Sequence, residues 1–308
     1  MRHQRRCGWP RAALLLASVA MTASACSPYR YGTEIAAFSD GVTALSDSLA
    51  SSSTVLEQDR VLFDRLDRAL TRPQLTLSDS WNVRLAADDP PCTVQDYRSP
   101  APITPVANIT VAQAAAKLRD YADGLKAITV AKDRADLDGA SAKLAAGVQG
   151  LTAGIPALSA LPAVVSAGLW LFGEALDAER MHRLKQAVNR AQPSIAALAN
   201  LIGAPLPAIQ AKRAALLRNT AHLIAKDMTR SIARDDWLAR DRLLEERVSA
   251  LDSVMRADPL KTTQSLVAAH QALVNAVNDP TTDLATLRQT VKAFADQAGA
   301  LRDAFKRR

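Results

Sequence analysis

Between Ala208 and Asp258 the chain runs for 51 residues without a glycine or a proline. Those two residues are the poorest helix formers, so a stretch this long without either predicts helix. As a single helix, rising 1.5 Å per residue, it would reach on the order of 75 Å. Arg and Asp alternate densely from Lys226 to Arg247, with spaced pairs such as Asp236 and Arg240 that face one another one turn apart. This pattern reads as a water-facing flank beside an apolar seam of Ile224, Met228, Leu244, Val248 and Leu251. Apolar residues make up 48% of the chain but aromatics only 4%, so Ala, Leu and Val must build most of the core, which suits closely packed helices. The expected fold class is all-α, an elongated multi-helix bundle with coiled-coil-like packing and about six or seven helices.

The same rhythm recurs along the chain. From Thr33 to Arg72 the apolar stripe is Ile35, Phe38, Val42, Leu45, Leu49, Leu56, Phe63, Leu66 and Leu70, interrupted by Ser52 and Asp59, and Pro73 stops it. The rhythm resumes at Val111 and continues through Leu151, with a kink or break expected near Asp138-Gly139. A further helix is expected from Pro162 or Val164 to Gln192, then a loop around Gly203 to Pro207. Leu266, Leu273 and Val277 mark another. The clearest heptad is Leu284, Leu287, Val291, Phe294, Ala298, Leu301 and Phe305, with its start signal at Pro280 and Thr281 or Thr282. Residues 33–308 are expected to form one helical domain. Within it a proline-rich loop spans 73–108, where Leu75 and Leu77, then Trp81, Val83 and Leu85, alternate with polar residues in the manner of a small hairpin.

The first 25 residues have a secretory layout. A basic region reaches Arg11, an apolar run carried by Leu14, Leu15, Leu16 and Val19 reaches Met21, and small residues lead to Cys26. Ala23-Ser24-Ala25-Cys26 resembles a bacterial lipobox, although Ala stands three residues before the cysteine where Leu is commonest. The resemblance covers the leader and Cys26 alone. It implies cleavage after Ala25, a diacylglyceryl thioether on Cys26 and acylation, typically with palmitate, of the new amine. Residues 26–32 would then be a lipidated tether. With Ser27 rather than Asp after the cysteine, it implies sorting to the outer membrane, facing the periplasm. Several acyl chains anchor firmly, since each buried methylene contributes about 0.8 kcal/mol. The rival reading is ordinary signal cleavage at Ala23-x-Ala25 and a secreted or periplasmic soluble protein. If Cys26 is acylated, Cys92 is the one free thiol left after the leader departs with Cys7. If not, Cys26 and Cys92 are candidates to pair in an oxidising compartment.

The leader also accounts for much of the formal charge of +7. Without Arg2, Arg5, Arg6 and Arg11 the balance is 34 basic to 31 acidic residues, a net +3, and the signs are interspersed. Nucleic-acid surfaces concentrate their basic residues, so none is expected here.

Ile155 to Gly173 is nineteen residues without a charge, close to the roughly 20 that a bilayer requires. It contains Val164, Val165, Leu169, Trp170, Leu171 and Phe172. It reads as a buried turn between helices, as an exposed tip for a membrane or partner, or as a span flanked by Arg180, Arg183, Lys185 and Arg190.

Catalytic and cofactor signals are sparse. Glu179 and His182 form a Glu-x-x-His pair, but di-iron bundles need two such pairs and two further glutamates, and neither His222 nor His270 has a Glu three residues before it. No phosphate-binding glycine loop and no nucleophile elbow is present in the sequence. The adjacent acids Asp88-Asp89, Asp235-Asp236 and Glu245-Glu246 point in different directions on a helix. The expectation is a non-enzymatic, lipid-anchored envelope scaffold or docking protein with no cofactor and no metal. Two alternatives stand beside it: a membrane-active helical protein using 155–173 as an insertion tip, and an enzyme whose site is assembled from distant residues.

Overall fold

The computed structural model describes residues 28–71, 75–77, 94–96, 109–152, 176–229, 234–279 and 281–306. The leader, Cys26, Cys92, most of the proline-rich loop and the whole of 155–173 lie outside the described residues. A 3₁₀ turn, Pro28–Tyr31, leads into the helices α1 (Gly32–Thr71), α2 (Ile109–Val130), α3 (Arg134–Thr152) and α4 (Leu176–Gly203). These are followed by α5 (Leu206–Met228), α6 (Arg234–Arg256), α7 (Pro259–Asn278) and α8 (Leu284–Ala304). The fold is all-α, a helical bundle. Two short strands, β1 (Leu75–Leu77) and β2 (Val94–Asp96), pair antiparallel with Leu75 opposite Asp96 and Leu77 opposite Val94. Leu75 and Leu77 are therefore in a strand as the alternation suggests, but their partner is 94–96; Trp81, Val83 and Leu85 lie outside the described residues.

The chain divides into two compact units. The first takes in residues to Thr43, 114–200 and 263–296. Its core is Ile35, Phe38 and Val42 from α1, Leu118, Tyr121 and Leu125 from α2, Leu137 and Leu144 from α3, Leu184 and Ile195 from α4, and matching residues of α7 and α8. Here α2 and α3 meet at backbone distance. A Cβ on Gly124 would lie 2.7 Å from the Leu144 Cα, and one on Gly147 would lie 2.8 Å from the Tyr121 Cα. The two glycines thus permit a closer approach than any side chain would allow.

The break between α2 and α3 falls at 131–133, ahead of the expected Asp138-Gly139; Gly139 lies inside α3. Asp133 accounts for the shift, because its carboxylate accepts the Asp136 N–H (2.8 Å) and starts α3 as an N-cap. Arg180 donates to the Ala131 carbonyl just beyond the end of α2. Nor does α4 stop at Gln192. It continues through Pro193, an exposed position, to Gly203. A proline inside a helix costs roughly 3 kcal/mol, and the buried Ala191, Ser194, Ile195 and Leu198 on either side supply the packing that offsets it. The α8 start signal likewise moves from 280–282 to Asp283, whose carboxylate accepts the Ala285 and Thr286 N–H groups.

The second unit takes in 44–113, 201–262 and 297–308. Leu45, Leu49 and Leu56, then Ile202, Leu206, Ile209, Leu217 and Ile224, and Leu301 and Phe305 are its large buried residues. The glycine- and proline-free run does not form one rod. It is two antiparallel helices, α5 and α6. Thr229 ends α5: its hydroxyl bonds back to the Lys226 carbonyl (2.7 Å), as Ser and Thr do when they compete with the helical ladder. An Asp227–Arg240 ion pair ties the helices near this bend. At the far end the Gln210 amide donates to the Val254 and Ala257 carbonyls, both at 2.6 Å, satisfying acceptors at the C-terminus of α6. The seam differs from the expected one. Ile224 is buried, but Val248 is 51% exposed, and α6 turns Ala250 and Val254 inward instead.

Among the described residues, one helical stretch, 176–228, is long and apolar enough by length and composition to cross a membrane. It is interrupted by the turn at Ala204-Pro205, and its large apolar residues Ile195, Leu198, Ile202, Leu206 and Ile209 are buried in the two cores.

Candidate functional site

Each of three helices in the second unit places one charged residue on its inward face. On α1 the stripe Leu45, Leu49, Ser52, Leu56 continues to Asp59, so the residue that looks like an interruption sits in phase with the buried positions. On α5 the buried stripe Leu206, Ile209, Leu217 includes Arg213. On α6, Arg247 lies one turn from the buried Ala250. The three meet. Arg213 Nε donates to Asp59 Oδ2 at 3.0 Å, and Arg247 Nη1 donates to Asp59 Oδ1 at 3.0 Å. The Asp59 and Arg213 side chains are 5% and 4% exposed, that of Arg247 12%. The Arg213 guanidinium also lies 5.7 Å from the centre of the Phe305 ring, within range of a cation–π contact.

A cavity of about 380 Å³ opens over this cluster, lined by Val55, Gln58, Asp59, Leu62, Arg213, Arg247, Ala250 and Lys306. Among the described lining residues Arg213, Arg247 and Lys306 are basic and Asp59 is acidic, and both Asp59 oxygens already hold a guanidinium N–H. Arg247 Nε is buried with no hydrogen-bond partner. In chemical terms the arrangement holds three helices together. The dense Arg/Asp alternation of 226–247 is therefore only partly a solvated flank: Arg247, at its end, turns inward.

The first unit has a polar centre of another kind. His270 is fully buried on α7 and receives the Tyr121 hydroxyl at Nε2 (2.7 Å), while Nδ1–H faces the Gln192 side-chain oxygen. The Gln192 amide continues to Gln271. A carbonyl oxygen can only accept, so the proton resides on Nδ1. Burial lowers the pKa of His270 to about 3 and raises that of Tyr121, so at neutral pH both are uncharged. Phe38 packs against the imidazole, ring centres 5.9 Å apart.

Of the other residues singled out from the sequence, Cys26, Val164, Val165, Leu169, Trp170, Leu171 and Phe172 lie outside the described residues. The Glu-x-x-His pair is not assembled as a ligand set. Glu179 is bound by Arg183, and His182 is exposed and bonded to Gln186 at 2.7 Å. His222 is exposed. Among the described residues no group of three or more His, Cys, Asp or Glu is placed to hold a metal ion. The basic residues after the apolar segment have local tasks: Arg183 bonds the Leu137 carbonyl and the Ser141 hydroxyl and pairs with Asp138, fastening α4 to the start of α3.

Sequence reasoning missed the Asp59–Arg213–Arg247 cluster. The available signal was opposite charges standing in register on two apolar stripes, Asp59 on one and Arg213 on the other. No protein-family model, no curated protein and no solved structure matches this chain.

Proposed function

We propose that this chain is a non-catalytic cell-envelope protein, tethered by lipid on Cys26, that docks a partner helix on the outer face of α6. The observation that carries the docking half is a row of exposed apolar side chains. Trp237, Val248 and Met255 are 43%, 51% and 60% exposed. Their spacings of eleven and seven bring them to one side of the helix, with the half-exposed Leu244 and Leu251 between them. Isolated exposed apolar residues are ordinary, but a contiguous stripe at heptad spacing is the pattern by which one helix accepts another. Trp and Met are moreover enriched at protein interfaces. The tether rests on the lipobox-like leader.

Two experiments test the halves separately. A photocrosslinking residue at Val248, installed in cells, should capture a defined partner in stoichiometric yield, and adding Trp237→Lys and Met255→Lys to that same protein should remove the adduct without lowering the melting temperature. An unchanged adduct would discard the α6 face. Cys26→Ser should move the protein from the membrane to the soluble fraction and remove the acyl mass; unchanged fractionation would discard the tether.

A further inference from the structure

We propose that the partner docked on α6 is a basic helix, one whose own apolar stripe is edged by lysine or arginine. The inference rests on the docking role of α6 and names the chemistry of the occupant. The whole of α6 lies within the second unit. Trp237, Leu244 and Leu251 recur at sevens, and Val248 and Met255 do the same, so the outward stripe has the two alternating columns of a coiled-coil seam. From Trp237 to Met255 it runs about 27 Å, or roughly five turns. At about 100° per residue, Asp241, Glu245 and Asp252 fall about 40–80° to one side of the stripe, and Arg240 and Arg247 about 60–80° to the other.

The two edges are not equivalent. The basic edge is turned inward: Arg240 pairs with Asp227 and Arg247 with Asp59. The acidic edge faces solvent, with Glu245 and Asp252 exposed and Asp241 half-exposed. Arg256 pairs with Asp252 one turn along the helix, while no described residue forms an ion pair with Asp241 or Glu245. Those two stand four apart, a like-charge spacing that disfavours the helix carrying it. A partner with basic residues beside its apolar stripe relieves that repulsion and adds interhelical ion pairs, which is how edge charges set partner choice between helices. The same edge argues against other occupants. A second α6 laid antiparallel on the first would oppose one acidic edge to its twin, and one laid parallel would need Arg240 and Arg247, which are already engaged. An anionic lipid surface would meet the acids with like charge.

Two dye-labelled synthetic helices test this, both with leucine at the seam positions, one edged by lysine and the other by glutamate. Each is titrated into the full chain held in phosphatidylcholine nanodiscs, with empty discs as the blank, and followed by anisotropy. The lysine-edged helix should bind about ten- to fiftyfold more tightly at low salt, and the ratio should shrink several-fold in about 1 M salt. Glu245→Lys, at an exposed position, should leave the melting temperature unchanged and cut the ratio about fivefold or more. Trp237→Lys with Met255→Lys should abolish binding of both helices. Equal binding of the two, or a ratio indifferent to salt and to Glu245→Lys, overturns the proposal; if that equal binding is still lost in the Trp237→Lys, Met255→Lys protein, the docking face stands and its charge preference alone falls. Binding of neither helix also overturns it, and the Val248 adduct then decides separately whether the face docks a partner. A dimer of the chain alone in sedimentation that Met255→Lys dissolves, or binding to phosphatidylglycerol vesicles that it removes, gives the face to another occupant and overturns the proposal as well.

Discussion

Around His270 in the first unit, the polar centre is neutral: Tyr121, His270, Gln192 and Gln271 hand hydrogen bonds from one to the next, and both ring nitrogens of the histidine are partnered. The Asp59 centre in the second unit is charged and lies beneath a cavity: Asp59 holds two arginines there. A neutral network adds uniqueness to a core, because each donor has one place to go. An ionic one is a weaker source of stability, since desolvating the charges consumes much of their attraction. The contrast teaches that the same helical scaffold can bury polar groups either as a neutral relay or as an ionic cluster.

The largest expected effect tests the charged centre. Asp59→Asn removes the carboxylate shared by Arg213 and Arg247 and should destabilise the chain by about 3–5 kcal/mol, read from urea unfolding. Replacing Asp59, Arg213 and Arg247 together with Leu, Met and Met should recover most of that loss. Failure to recover would mean that the cluster stabilises in its own right and would erase the contrast.

Next comes the neutral centre's response to acid. Unfolded, His270 regains an ordinary pKa near 6.5, whereas folded it titrates at about 3. Between these values the unfolded chain binds the extra proton. Stability is therefore fully present above about pH 6.5 and falls as pH drops toward 3, by about 1.4 kcal/mol per pH unit from this residue. His270→Gln should flatten the decline measured between pH 7 and pH 5. Tyr121→Phe removes the hydroxyl that His270 Nε2 accepts and should cost about 1–3 kcal/mol at pH 7. The smallest effect serves as a local reference. Asp283→Ala removes the α8 cap in the same unit. Hydrogen bonds from Ala285 and Thr286 hold its carboxyl below the usual range, so the loss should be constant from pH 5 to pH 7. A pH-dependent loss would point to coupling between α8 and the His270 network.

How legible this was depended on whether a residue's type matched its place. The stripes of α1, α2 and α8 were readable because apolar residues occupy buried positions at the helical period: Phe38, Leu118 and Phe294 sit where their spacing puts them. Asp59 was unreadable for the converse reason, since a charge on an apolar stripe looks like a gap until a countercharge from another helix is brought to it. The reversal after α5 was hidden because its first stop signal is Thr229, a residue tolerated within helices, rather than glycine or proline. The seam of α6 failed because its regular apolar spacing faces outward; period alone records that a face is apolar and not what covers it. The site residues named from the sequence, Cys26 and 164–172, lie outside the described residues, and the cluster that the described residues do bring together was not among them.

The glycine contacts between α2 and α3 carry a consequence for the distant imidazole. Gly147 fixes how near α3 can come to the very residue, Tyr121, whose ring reaches across to His270. The hydroxyl's position is thus gauged by a hydrogen atom on the neighbouring helix, and adding a methyl group there would push Tyr121 along with its backbone. An alanine at 147 would be felt first as a lengthened contact at the histidine, so a buried imidazole becomes a reporter for the spacing of two helices it does not belong to.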